Sequence, residues 1–98
     1  MSRDVKEVVG VLMRVLDGGE VSQEQITELG FEADGELQRA LNDAYIKLME
    51  FAYDYDLRRN DPALDRGMRL ALQKYLDRIV VVWDQTASVA PETQRIWL

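Results

Sequence analysis

Apolar residues recur at three- and four-residue steps through most of the chain, which is the period of one face of an α-helix. Val5, Val8, Val9, Leu12, Val15 and Leu16 predict a first helix over residues 3–17. Ser2 is placed to cap it, and Asp4 and Glu7 suit the positive end of its dipole. Gly18-Gly19 stops it, because glycine takes the left-handed C-cap conformation without penalty. A shorter helix is predicted over 22–29. Ser22 and Gln25 have the spacing of a capping box, Ile26 and Leu29 face inward, and Gly30 ends the helix. Phe31 is the expected anchor just beyond.

Two long helices follow. Leu37, Leu41, Ala44, Leu48, Phe51 or Ala52, and Tyr55 form the main stripe of a helix over about 35–58, capped by Asp34. A second stripe, Ile46, Met49, Tyr53 and Leu57, makes its C-terminal half apolar on more than one side and so requires more than one neighbour. Asn60-Asp61-Pro62 is a strong break. Proline disfavours helical backbone in the residue before it, yet fits the first turn of a new helix. Asp61 is the natural N-cap of a helix over about 62–85, with Leu72, Leu76, Ile79 and Trp83 on one stripe. Each long helix would measure about 36 Å. The run 79–83 is apolar all round. Its valines would also suit a strand, but no partner strand is predicted. Residues 86–98, with Pro91, read as an irregular tail whose Ile96-Trp97-Leu98 end should dock on this chain or on a partner. The expected fold is all-α and a single domain over 1–98: an antiparallel hairpin of the two long helices, covered by the two shorter ones.

Composition narrows the chemistry. Hydrophobic content of 47% and charged content of 31% belong to a folded globular chain. There is no cysteine and no histidine, which removes disulfides, thiolate and imidazole nucleophile systems, and the usual zinc ligands. An enzyme is therefore not expected, nor is a cofactor or metal. The start, Met1-Ser2-Arg3-Asp4, lacks the basic-then-apolar pattern of a signal peptide. The strongest apolar run, Ile79 to Trp83, falls far short of the ~20 residues a spanning helix needs. A cytoplasmic protein with no membrane association is the expectation.

The net charge of −6 is unevenly spread. Residues 17–36 hold seven acids and no base, whereas 58–78 hold six bases against three acids. Both are ordinary as solvated faces. The sharper expectation is that opposite signs meet, within one chain or across a subunit boundary.

Four constellations carry candidate chemistry. Asp54, Asp56, Asn60 and Asp65 fall on positions one, three, seven and twelve of a calcium loop, but Arg58 stands where a ligand belongs and Arg59 where the sharp turn needs glycine. A capped turn between helices is the better account. Residues 22–50 have the outline of a helix-turn-helix, but Asp34, Glu36 and Asp43 would meet phosphates of the same sign, so nucleic acid is disfavoured. Glu50 and Asp54, with Tyr53 and Tyr55 beside them, could act as acid–base groups, since the two carboxylates are four apart on one helix face and could couple, but a solvated pair flanked by Arg58 is the better account. Tyr45, Tyr53, Tyr55, Tyr75 and Trp83 at helical spacing fit core or interface better than a ligand pocket.

What remains is apolar surface. The expected function is a small helical protein–protein interaction module, an adaptor or regulatory subunit that self-associates as a homodimer. The expected interface is Ile46, Met49, Tyr53, Leu57, Val80, Val81 and Trp97. The alternatives are a nucleic-acid-linked regulator using 22–50 and an acidic inhibitor that occupies a basic site on its target.

Overall fold

The computed structural model describes residues 3–95, and the side chains of residues 4–85. Among these the chain is all-α, with five helices: α1 (Arg3–Leu16), α2 (Gln23–Thr27), α3 (Gly35–Tyr53), α4 (Tyr55–Asn60) and α5 (Pro62–Arg95). No described helix is long and apolar enough to cross a membrane.

The local signals at the helix ends act as their chemistry dictates. Gly18 adopts φ 99°, the Gly18 amide donates to Val15 and the Gly19 amide to Arg14. That is a Schellman closure of α1. A Cβ on Gly19 would lie 2.9 Å from the Arg14 carbonyl oxygen, so the second glycine is also required. Ser22 and Gln25 exchange both capping-box hydrogen bonds at the start of α2. Asp34 precedes α3, but its side chain makes no capping bond. The Ala33 amide donates instead to Gln38. Asp61 caps α5 by accepting from the Leu64 amide at 3.1 Å. Ser2, the expected cap of α1, lies outside the described residues.

Two boundaries differ from the sequence expectation. The helix over 35–58 is interrupted at Asp54, whose ψ of 18° separates α3 from α4. The Asp54 amide still donates to Glu50, and its carbonyl accepts from the Arg58 amide, so the chain bends without losing backbone pairing at that residue. The second difference is the tail. Helix α5 continues past 85 through Pro91 to Arg95, where an irregular segment was expected. Thr86 to Ala90 contain no glycine or proline to stop it, and the helix includes Pro91 although proline lacks an amide donor and crowds the carbonyl four residues before it. The expected docking of Ile96-Trp97-Leu98 falls outside the described residues.

Helices α1, α3 and α5 share one core. Val8, Leu12 and Val15 of α1, Leu41, Leu48 and Phe51 of α3, and Leu72 and Ile79 of α5 are buried in it, with Ile26 from α2. Asp43 of α3 meets Arg78 of α5, and Phe51, further along α3, meets Arg69, earlier on α5. Contacts therefore run in opposite order along the two helices. Phe31 is half-buried, with its ring edge-on to Tyr45. Trp83 is packed against the core but only partly buried.

Candidate functional site

Helical geometry decides which apolar residues remain outside. On α3, Leu41, Leu48 and Phe51 take the inner face, so Ile46 and Tyr53 are carried to the opposite one. They are 54% and 76% exposed, and Met49 beside them is half-buried against the core. Leu57, on α4 beyond the Asp54 bend, is 61% exposed. Tyr53 and Tyr55 flank an open depression between α2 and the bend, floored by Val21 and Ala52 and edged by Gln25 and Asp56.

On α5 the same argument places Val81 opposite Leu72 and Ile79, and it is 55% exposed. Val80, four residues after Leu76, lies on the edge that borders α1, where Leu76 lines a groove with Gly10 and Met13. The residues expected to form one interface are thus distributed. Ile46, Met49 and Tyr53 share the outer face of α3, Val81 lies on the outer face of α5, and Trp97 is outside the described residues. Leu70, 65% exposed, shares the Val81 face and was not singled out in the sequence. The signal was present: the two are eleven residues apart, close to three whole turns.

The charges assemble beneath the α4–α5 turn. Arg58 is buried, with its side chain 1% exposed. Its Nη atoms pair with Glu20 at 2.8 Å and with Asp65 at 2.7 Å, and its Nε donates to the Phe51 carbonyl at 2.9 Å. Arg69 pairs with the same two acids, at 2.6 and 2.9 Å, and donates to the Val15 and Gly19 carbonyls at the end of α1. Both guanidinium groups lie over the Phe51 ring. Opposite signs from the acidic and basic stretches therefore meet within one chain. The hydrogen bond from Arg58 holds the Glu20 carboxyl below its usual range, against the opposing effect of burial. Arg69 does the same for Asp65. Burial alone would lower the Arg58 pKa, but the bonds to Glu20 and Asp65 outweigh it and raise it.

This cluster also accounts for the calcium-loop spacing. Asp65 is occupied by two arginines, and Asn60 donates its side-chain amide to the Asp56 carbonyl. Among the described residues no three acids converge as metal ligands. Glu50 pairs with Lys47 at 3.1 Å, while Arg58 turns inward from the face it would share with Glu50 and Asp54. No family model matches this chain, and no curated protein or solved structure is significantly similar to it.

Proposed function

We propose that this chain is a small cytoplasmic protein–protein interaction module, an adaptor or regulatory subunit that self-associates and binds rather than catalyses. Its scaffold is the hairpin of α3 and α5. The observation that supports this is the placement of large apolar side chains on two outward faces, Ile46 and Tyr53 on α3 and Leu70 and Val81 on α5, with the core already filled. Exposed apolar residues grouped on one face mark interaction surfaces more often than singly scattered ones do.

The basic stretch lends the nucleic-acid alternative less than its composition suggests. Arg58 and Arg69 are held by Glu20 and Asp65, and Arg78 by Asp43. A second reading has one observation in its favour: Glu24, Glu28, Glu32, Asp34 and Glu36 are all exposed, as an acidic segment that docks on a basic target requires.

Static light scattering at micromolar concentration tests self-association, with twice 11.3 kDa expected. A lysate pull-down repeated with Ile46→Asp and Val81→Asp variants tests the two faces. A monomer whose captured proteins are unchanged by either variant would overturn the proposal.

A further inference from the structure

Along α5, Gly67, Leu70, Lys74, Asp77, Val81 and Asp84 alternate at steps of three and four residues. They form one seam with the 3.5-residue repeat by which two helices meet. All six are exposed, on the side opposite Leu72 and Ile79. The seam is complementary to itself. When two copies pair antiparallel about a two-fold axis between Tyr75 and Leu76, Leu70 meets Val81 of the second copy, Lys74 meets Asp77, and Gly67 meets Asp84. Each contact occurs twice. Arg66, on the seam's edge, lies on the same side as Asp84 of the second copy. A parallel pairing would instead set Lys74 on Lys74 and Asp77 on Asp77. Charge thus selects both orientation and register.

Gly67 gives an independent reason. Glycine disfavours a helix interior relative to alanine. Here its φ is not positive, and an added Cβ would meet nothing within 4 Å. Nothing among the described residues requires it. A missing side chain on an outward face permits close approach of a second helix, as small residues do at tight helix crossings. Asp77 is also held in place, because Gln73 donates to its Oδ1 at 2.8 Å.

We infer that the outward seam of α5 is a two-fold homodimer interface, built from paired Leu70–Val81 contacts and Lys74–Asp77 ion pairs between copies. This rests on the self-association proposed above and locates it on α5, leaving the Ile46–Tyr53 face of α3 open to a different partner.

Charge reversal tests it. Sedimentation equilibrium or light scattering of the full chain at up to roughly 100 μM should give a dimer. Lys74→Asp should weaken it by at least about tenfold, since two attractive pairs become repulsive. The double variant Lys74→Asp/Asp77→Lys should restore it. Both positions are exposed, so far-UV circular dichroism should be unchanged. A monomeric parent would overturn self-association and this inference together. A dimer that Lys74→Asp leaves intact, or that the double swap fails to restore, would overturn the α5 interface alone. Cysteine mapping adds an arm free of charge effects, because the chain has no cysteine of its own. Leu70→Cys/Val81→Cys should oxidise to a disulfide-linked dimer, and Leu70→Cys alone should not. In the proposed register the two copies of residue 70 are offset by about 16 Å along the helix axis, well beyond disulfide reach. Equal cross-linking of both variants would contradict the register.

Discussion

The Arg58 guanidinium lies 3.4 Å from the centre of the Phe51 ring while its Nε donates to the Phe51 carbonyl at 2.9 Å. One side chain thereby holds both the backbone and the ring of a residue seven positions earlier. The bend at Asp54 lies between them. Arginine suits the position because its planar, weakly hydrated cation can stack on a ring and still direct donors to two carboxylates. Among the described residues no buried side-chain polar atom lacks a partner, so the cation is buried with its hydrogen bonds satisfied.

Arg58→Met should destabilise the fold by about 1–3 kcal/mol, because the Phe51 carbonyl loses its donor while the part-exposed Glu20 and Asp65 lose one of two cations. Glu20 and Asp65 would keep only Arg69. Arg58→Lys should recover little, because an ammonium cannot serve Glu20, Asp65 and the Phe51 carbonyl in the same fork geometry. Urea denaturation of the three proteins at neutral pH measures both effects. A loss below about 1 kcal/mol for Arg58→Met would place the cluster among surface ion pairs.

Acid should weaken the fold through the same cluster. Glu20 and Asp65 have folded-state pKa values below their unfolded ones. Folding therefore gains from both when they are ionised, fully above the ordinary carboxylate range, and this gain fades as pH falls through about 4 and below. Urea midpoints collected from pH 7 down to pH 3 should drop over that interval. Glu20→Gln should start lower at pH 7 and fall less steeply on acidification. Parallel curves for the two proteins would remove Glu20 from the linkage.

Two aromatic residues should separate by burial. Phe51 is fully buried, and Phe51→Ala should cost about 3–5 kcal/mol. Trp83 is only partly buried, so Trp83→Ala should cost clearly less despite the larger ring. Melting temperatures of the two variants give the order directly, and a reversed order would mean that Trp83 carries more packing than its exposure indicates.

Two glycines should respond to alanine with opposite signs. Gly18 has φ 99°, where an L-residue is strained, so Gly18→Ala should destabilise by about 1 kcal/mol or more. Gly67 lies in open space within α5, and Gly67→Ala should stabilise the subunit by up to about 1 kcal/mol. Thermal melts at sub-micromolar concentration keep any self-association out of the comparison. Destabilisation by Gly67→Ala under those conditions would reveal a close contact on the outer face of α5 within the subunit.

Helix identity and most helix ends were legible in the chain because their causes are local. The period of the apolar residues marks a helical face. Gly18-Gly19, the Ser22–Gln25 pair and Asp61-Pro62 act on backbone groups within five residues of themselves. The break at Asp54 was not legible. Nothing in Tyr53-Asp54-Tyr55 opposes helix, and Arg58 beyond it is held by Glu20 and Asp65, residues from the α1–α2 connection and from α5.

The acidic and basic stretches were visible as composition, but sequence could not distinguish a solvated face from a pairing. Only the packing of α1, α3 and α5 brings Glu20 to Arg58 across 38 positions. The apolar surplus on α3 and α5 was determined by sequence, since more faces are apolar than one core can cover. Which residues stay outside was decided by the tertiary structure. Each helix turns its best-packing stripe inward, and rigid helical geometry then carries Ile46 and Tyr53 on one helix, and Leu70 and Val81 on the other, to opposite sides of the core.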